Sequence, residues 1–200
     1  INHTKTVKQI LEIERFKDGK PLLIIGSAWK EDMEVLFSTL NKYKGRIKIL
    51  IAPHEIKAEE IKYFTKKLEG KSVKYTEWDK QTFDFDILFL DTIGMLSSMY
   101  QYADFSYIGG ALGKGLHNIL EATAFGNPVV FGPNYTKFGE AIDLIELKGA
   151  NSIINAEEFE LIFLDLLNKV EFRKEKSEIC RNYVFQNEGA TEEIMKFIFK

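Results

Sequence analysis

Residues 105–122, FSYIGGALGKGLHNILEA, decide the fold because they combine a strand, a glycine-rich loop and the beginning of a helix. The first four residues are mostly apolar and β-prone, as in a buried strand. Four glycines then occur within the seven positions 109–115. The segment 116–122 follows as the predicted start of a helix. A strand that passes through glycines into a helix is typical of the ligand-binding edge of an open α/β sheet.

On either side of this stretch, short apolar runs alternate with longer amphipathic segments. The run Ile49-Leu50-Ile51 is apolar at consecutive positions, which suits a parallel strand covered on both faces. Amphipathic patterns over 31–43 and 58–68 predict helices between the strands. We therefore predict an α/β fold with a doubly wound parallel sheet. The predicted strands are 22–25, 47–52, 72–75, 87–90, 105–108, 128–131 and 152–154.

The length and composition predict one domain that covers residues 1–200. Hydrophobic residues make up 45% of the chain and charged residues 28%, which is ordinary for a globular protein. Residues 157–200 are predicted to form a helical tail, with a break near Asn187 and a capping arrangement at Thr191. The N-terminus is polar and has no initiator Met, so we expect no signal peptide and a chain that is a fragment.

The composition also argues against several classes of function. The formal net charge of -3 gives no basic field for a nucleic-acid backbone, so we expect no nucleic-acid partner. No apolar run approaches the roughly 18 residues that span a bilayer. Cys180 is the only cysteine, which excludes an internal disulfide and favours a reducing compartment. We interpret it as a half-buried structural thiol.

Ligands of open α/β sheets bind beyond the carboxyl ends of the strands, so the loops at those ends form the candidate site. After the first strand, Gly26 lets backbone approach a ligand, and Ser27 either contacts a phosphate or caps the next helix. After the second strand, Pro53 gives a rigid turn and His54 either contacts the ligand or lies on the surface. No other histidine has metal-ligand spacing from His54, so we expect no metal site.

The loop after the predicted strand 87–90 reads Asp91-Thr92-Ile93-Gly94. Asp91 and Thr92 can form hydrogen bonds or cap the next helix, and Gly94 keeps the turn open. A general-base role for Asp91 is the alternative to a capping role.

The glycine-rich loop is the most informative of the candidate loops. Its N–H groups can face an anion, and Lys114 adds a positive charge. The loop is not a P-loop, because only three residues separate Gly109 from Gly113. It is not the dinucleotide fingerprint either, because Asn118 stands where that motif requires glycine.

The predicted helix after this loop carries His117 and Glu121 on one face, four residues apart, with Asn118 beside them. Glu121 is placed to accept hydrogen bonds from ribose hydroxyls, and a purely electrostatic role at the helix N-terminus is the alternative. The later turn 132–137 is expected to return to the same edge of the sheet. Phe138 is expected to fix that turn by packing.

Together these loops resemble the C-terminal, donor-binding domain of the transferases that attach Kdo (3-deoxy-D-manno-octulosonic acid) to lipid A precursors. That family has Gly-Gly-Ser-Leu, then Gly-His-Asn-x-x-Glu-x-x-x-x-Gly-x-Pro-Val, then Gly-Pro and Asn-Phe. Its earlier motifs are Gly-Ser-Thr, Ala-Pro-Arg-His and Asp-Thr-Met-Gly. The corresponding segments of this chain are 26–27, 52–54, 91–94, 109–112, 115–122, 126–129 and 132–138.

The resemblance implies the Rossmann-like half of a GT-B glycosyltransferase, which binds the nucleotide sugar CMP-Kdo without a metal or another cofactor. It implies transfer of Kdo to a lipid A precursor in lipopolysaccharide biosynthesis, at the cytoplasmic face of the bacterial inner membrane. The acceptor site, the catalytic carboxylate and the membrane-associating surface are then expected in an N-terminal half that this chain lacks. The chain alone is expected to be soluble, to bind nucleotide and to catalyse nothing, so we assign no catalytic residue.

Carried over by position, the resemblance also implies individual roles. Pro53 and His54 flank the cytosine. Asn118 approaches the phosphate, and Glu121 approaches the ribose. The wall beneath the phosphate and the sugar acid consists of Gly109, Gly110 and Lys114. The full set of predicted donor-site residues is Gly26, Ser27, Pro53, His54, Thr92, Ile93, Gly94, Gly109, Gly110, Lys114, His117, Asn118 and Glu121.

Several positions depart from the family pattern. The Arg between Pro and His is missing, Met95 stands in place of Glu, and Ala111 in place of Ser. Lys30 and Asp32 replace part of an acidic stretch. These departures leave the donor sugar more open than the nucleotide. A GT-B transferase or epimerase that uses a UDP-sugar is the alternative, and a non-enzymatic nucleotide-binding module is a third interpretation.

Overall fold

A seven-stranded sheet with every strand parallel forms the centre of the computed structural model, which describes residues 9–187. The order across the sheet is β3-β4-β2-β1-β5-β6-β7. The predicted doubly wound α/β sheet is therefore confirmed. The strands are β1 Leu22–Ala28, β2 Lys48–Pro53, β3 Ser72–Lys74, β4 Ile87–Phe89, β5 Phe105–Ile108, β6 Val129–Phe131 and β7 Ala150–Ser152.

Helices cover both faces of this sheet, so both faces of the central strand are buried. Leu22 and Ile24 of β1 belong to one apolar cluster, whereas Leu23 and Ile25 belong to the other. This alternation follows from the two-residue period of a strand. The helices are α1 Leu11–Lys17, α2 Lys30–Lys42, α3 Ala58–Lys67, α4 Leu96–Met99, α5 Leu120–Thr123, α6 Gly139–Glu146, α7 Ala156–Asn168 and α8 Val170–Gln186, with a 3-10 turn at Tyr100–Tyr102.

The strand order reverses at β1, which has β2 on one side and β5 on the other. In the register of the β1–β5 pair, Gly26 lies opposite Ile108. Gly109 N–H then donates to the carbonyl of Gly26 over 2.9 Å. The loops that follow β1 and β5 therefore start side by side. Such a reversal point is where ligands bind in open α/β sheets.

Several predicted boundaries differ from the structure, and two of the differences have a clear physical reason. The last strand was expected at 152–154, but it is Ala150–Ser152, and Ile154 lies outside it with 60% of its surface exposed. The chain leaves the sheet there because Asn155 caps α7, its side chain accepting the N–H of Glu158. The helix expected from position 116 begins only at Leu120.

The predicted helical tail is seen as α7 and α8 within the described residues. Helix α8 ends at Gln186, close to the predicted break. The predicted capping arrangement at Thr191 lies outside the described residues. Cys180 is fully buried in α8 rather than half-buried, and burial raises the pKa of its thiol to about 12. A thiol of that pKa is a poor nucleophile at neutral pH.

Candidate functional site

The end of β1 is distorted and lies against the start of the glycine-rich loop. Ser27 has a φ of 50°, and the β1–β2 register shifts between Ile25 and Ala28. This bulge brings the Ser27 carbonyl so close to Gly109 that a Cβ at position 109 would lie 2.2 Å from its oxygen. Only glycine fits at position 109. The close approach of the two loops therefore depends on the absence of a side chain there.

Gly26 at the end of β1 packs closely against a buried side chain. A Cβ at position 26 would lie 2.0 Å from the hydroxyl oxygen of the buried Tyr100. The sequence predicted that this glycine lets backbone approach a ligand. In the structure this glycine makes room for the Tyr100 ring, and its contact with a ligand stays a prediction. The tyrosine thus supports the site from below.

The glycine-rich loop folds back on itself. Gly113 and Gly115 both donate their N–H to the carbonyl of Gly110, each over 2.9 Å. Gly110 has a φ of 96° and Gly115 a φ of 139°, which L side chains rarely adopt. His117 N–H also returns to the Gly109 carbonyl. These bonds tie positions 113–117 to the strand end, and for that reason the helix cannot begin before Leu120.

Asp32 joins the first loop to the glycine-rich loop, a role that the sequence did not predict. Its Oδ2 accepts the N–H of Gly110 over 2.8 Å and the N–H of Trp29 over 3.1 Å. Its Oδ1 accepts the hydroxyl of Tyr107 over 2.9 Å. The carboxylate is fully buried. Burial raises its pKa, and the hydrogen bonds from Gly110, Trp29 and Tyr107 oppose that shift.

An aromatic and cationic cluster covers the same edge of the sheet, with members from the loops after β1, β2 and β5. The Trp29 ring stacks on His54, with 3.9 Å between ring centroids. Trp29 Nε1 donates to Nε2 of His117 over 3.0 Å. The ammonium of Lys114 lies 4.6 Å from the centre of the Trp29 ring. The sequence predicted three of these four residues for the site, and Trp29 is the one it left out.

His117 is in a loop, so its predicted place on a helix face with Glu121 is wrong. Because an indole N–H can only donate, Nε2 of His117 must be unprotonated in the bond from Trp29. Burial lowers the pKa of His117, and the neighbouring His54 lowers it further. Both effects favour the neutral imidazole that this hydrogen bond requires.

Asn118 and Glu121 form the entry to α5. Asn118 Oδ1 accepts the N–H of Leu120 over 2.9 Å, and its Nδ2 donates to Oε1 of Glu121 over 3.3 Å. Glu121 lies in the first turn of this short helix. The carboxylate remains partly exposed beside the glycine-rich loop. It retains free acceptor positions for a ligand, because one amide donor satisfies only part of a carboxylate.

The loop after β4 lies beside the loop after β2, since the two strands pair from Ile49 with Ile87 onward. Asp91 accepts the backbone N–H and the hydroxyl of Thr76, so its oxygens are engaged in holding a turn. Within the described part of the chain, the buried Oγ1 of Thr92 has no hydrogen-bond partner. Ile93 is 92% exposed, and Gly94 adopts a φ of 81°.

The predicted residues after β2 lie next to the end of β1. Pro53 is the last residue of β2 and pairs with Ala28. His54 N–H donates to the Ala28 carbonyl over 2.9 Å. The loops after β1, β2 and β5 are thus brought together. The loop after β4 is one strand further out.

A pocket of about 260 Å³ opens between the glycine-rich loop and the turn 132–138. Asn134 joins the two walls, its N–H donating to the Ala111 carbonyl and its Nδ2 to the Gly113 carbonyl. Phe138 packs on the apolar core, as predicted. The turn returns to the ligand edge as the sequence indicated. The pocket is lined by Gly113, Lys114, Gly115, Asn134, Thr136, Lys137 and Phe138.

Residues 9–187 contain neither a metal cluster nor a membrane span. In that range, no three His, Cys, Asp or Glu side chains come together in a set that could hold a metal ion. None of the helices there combines the length and the apolar character needed to cross a bilayer.

The all-parallel sheet with its reversed strand order is the Rossmann-like half of a GT-B glycosyltransferase fold. Solved structures have this fold. One is described as the C-terminal CMP-Kdo binding domain of WaaA from Acinetobacter baumannii, with a TM-score of 0.78 and 20% identity over 88% of this chain and 95% of that one. Another is HepE from Anabaena with UDP and glucose, with a TM-score of 0.68 and 11% identity over 96% of this chain and 53% of that one.

The chain is a relative of the 3-deoxy-D-manno-octulosonic acid transferases, so the predicted resemblance is confirmed. It is 29% identical over 156 residues to the transferase of Chlamydophila psittaci, covering 76% of this chain and 36% of that protein. It is 28% identical over 203 residues to that of Rickettsia typhi, covering 99% of this chain and 40% of the relative. The chain thus spans well under half the length of these curated relatives. No family model matches it.

Proposed function

We propose that this chain is the donor-binding part of a Kdo transferase, which binds CMP-Kdo for transfer of Kdo to a lipid A precursor. One observation carries the proposal: the predicted donor-site loops after β1, β2 and β5 converge at the reversal point of the sheet. The homology to transferases of that name supports the sugar and the reaction. The likeness to a domain described as CMP-Kdo binding agrees with the nucleotide.

The geometry suggests how the nucleotide is held. The charge of Lys114 on the glycine-rich loop offers a place for the phosphate. The first-turn carboxylate of Glu121 can accept hydrogen bonds from two ribose hydroxyls. The exposed side chain of Ile93 and the ring of His54 offer apolar and aromatic surface for the base. All of these roles use side chains or backbone groups of the chain alone.

The rest of the reaction is proposed to depend on a further domain. We infer that the acceptor site and the catalytic carboxylate belong to an N-terminal half, so that this chain binds the donor without transferring it. Donor binding is proposed to need no metal. The complete enzyme is proposed to work at the cytoplasmic face of the bacterial inner membrane, where its lipid acceptor is found.

Isothermal titration of the chain with CMP, UMP and AMP in buffer containing EDTA tests the proposal. We expect preferential binding of CMP that survives EDTA. Glu121→Ala is expected to weaken CMP binding by about 10- to 150-fold, because hydrogen bonds to a charged group contribute about 1.5–3 kcal/mol. The unfolding midpoint of the variant is expected to stay close to that of the wild type.

Glu157→Ala is the matched control, because Glu157 is also a first-turn glutamate but lies on α7 and is exposed. It is expected to leave CMP affinity unchanged. Preference for UMP would instead support a transferase or epimerase that uses a UDP-sugar. Absence of binding to all three nucleotides would remove the donor-domain proposal for the chain by itself.

A further inference from the structure

We propose that the pocket between the glycine-rich loop and the turn 132–138 binds the carboxylate of the donor's sugar acid. The inference rests on the proposed function and adds a subsite to it. The pocket has a volume of about 260 Å³, which suits part of a sugar rather than a whole nucleotide sugar. Its two cationic side chains are Lys114 and Lys137.

The pocket is held in shape before any ligand arrives. The main chain and the side-chain amide of Asn134 both bond to the glycine-rich loop, at the carbonyls of Ala111 and Gly113, over 2.9 and 3.0 Å. A Cβ at Gly132 would lie 2.5 Å from backbone atoms of Ala111 and its neighbour, so the two loops touch directly. Little ordering of the loops is therefore needed on binding, which favours affinity.

The lining of the pocket is positively charged. None of its lining residues is acidic. Within residues 9–187, neither of the two lysines lies within ion-pair distance of a carboxylate. Other surface lysines do have such partners, among them Lys57, Lys71 and Lys74. Two unpaired ammonium groups on one pocket attract an anion.

The position of the pocket matches the chemistry of a CMP-activated sugar acid. Such a donor carries two anionic groups, the phosphate and the carboxylate, on the same anomeric carbon. In the proposed function the phosphate lies beside Lys114, on the loop that follows β5. The pocket between this loop and the turn after β6 shares Lys114 with that place and adds Lys137 for the second anion. A neutral hexose has no group that needs these two lysines.

The deciding measurement is a pair of titrations, with CMP and with freshly prepared CMP-Kdo, on the chain and its Lys137→Met variant. We expect the wild type to bind CMP-Kdo more tightly than CMP. The variant is expected to bind CMP-Kdo about tenfold more weakly, as for loss of one charge-assisted hydrogen bond, and CMP within about twofold of the wild type. Unchanged CMP affinity also shows that the variant is folded.

Three further variants sharpen the test. Lys137→Arg keeps the charge and is expected to retain most of the affinity for CMP-Kdo. Lys174→Met removes an exposed lysine of α8, which is paired with Glu171, and is expected to change neither titration. Lys114→Met is expected to weaken the binding of both CMP and CMP-Kdo, because the Lys114 ammonium lies over the Trp29 ring beside the proposed phosphate site.

The possible failures are distinct. A Lys137→Met variant that binds CMP-Kdo as well as the wild type overturns the subsite and leaves nucleotide binding intact. An equal loss for CMP and CMP-Kdo also overturns it, because the lysine then serves the nucleotide phosphate. A wild-type chain that binds neither compound overturns the proposed function, and the subsite with it.

Discussion

Replacing Asp32 with Ala is expected to separate the loop after β1 from the glycine-rich loop and to destabilise the chain. The side chain is the shared acceptor for Gly110, Trp29 and Tyr107, at 2.8, 3.1 and 2.9 Å. Alanine leaves all three donors without that acceptor. Asparagine is the matched variant, since its amide oxygen can still accept both N–H groups and its NH₂ can donate to the tyrosine oxygen.

The size of the stability loss in Asp32→Ala follows from the burial of the donors that lose their acceptor. The Gly110 N–H and the Tyr107 hydroxyl bond to Asp32 in the interior, where each unsatisfied donor costs about 1–3 kcal/mol, so Asp32→Ala is expected to lower the free energy of unfolding by about 2–6 kcal/mol. The Trp29 N–H is only partly buried and adds less. This loss is a large fraction of the roughly 5–15 kcal/mol that stabilises a typical domain.

The pH dependence of the stability separates the effect of the Asp32 charge from the effect of its hydrogen bonds. Burial raises the pKa of Asp32 in the folded state above its unfolded value. The stability linked to this shift is therefore fully present below the unfolded pKa, at about pH 4, and is lost as the pH rises through the folded value. An asparagine side chain cannot ionise, so Asp32→Asn is expected to gain stability relative to the wild type as the pH rises through that window.

Urea unfolding of the wild type and both variants across the range from about pH 4 to 7 measures these differences, and CMP titration reports the state of the site. We expect Asp32→Ala to lose both stability and CMP affinity, and Asp32→Asn to keep most of each. Equal stability of the alanine variant and the wild type would refute the conclusion that the Asp32 carboxylate holds the two loops together. Equal damage from alanine and asparagine would show that its charge matters more than its hydrogen bonds.

Two further predictions concern the same edge of the sheet. Gly109→Ala is expected to lower the unfolding midpoint and CMP affinity, because its Cβ would lie 2.2 Å from the Ser27 oxygen. Gly113→Ala is the control and is expected to be tolerated, because a Cβ there meets only one atom, at 3.8 Å. Thermal unfolding of the two variants compares them directly. The lowered pKa of His117 means that its contribution to stability is present above about pH 6.5 and is lost as the pH falls through its folded pKa. Trp29→Phe removes the N–H donor to the neutral ring, so an NMR titration is expected to show a higher pKa for His117, and an unchanged value would contradict the role of that bond.

The sheet could be predicted from the sequence because its signal is local. Runs such as Ile49-Leu50-Ile51 are apolar on both faces, and the amphipathic patterns between the strands show where helices cover them. Boundaries set by tertiary contacts could not be predicted. The helix start moved from position 116 to Leu120 because bonds back to Gly109 and Gly110 hold the intervening backbone. Nothing in positions 116–119 alone reveals those bonds.

For the site, the loops and their order could be predicted from the sequence, but the contacts between them could not. Asp32 looked like an acid near a helix start, and its partners Tyr107 and Gly110 are 75 and 78 residues away. Trp29 directly follows the first loop, but the residues around it give no sign of its stacking on His54. The one available signal was the spacing from Trp29 to Asp32, three residues, which is that of a capping box. The assignment of roles to the donor-site residues stays a prediction.

The central place of β1 also determines when the site can form during synthesis. Its two neighbours are β2, which follows it closely, and β5, which leaves the ribosome only after β3 and β4. Until Phe105–Ile108 is available, β1 has one unpaired edge next to exposed apolar side chains, which is a route to association between nascent chains. A product that ends before β5 therefore has neither the glycine-rich loop nor a partner for this edge of β1. Pulse proteolysis of such truncated chains is expected to find them readily cleaved. Under the proposed function, nucleotide is therefore expected to stabilise only chains that have passed that point.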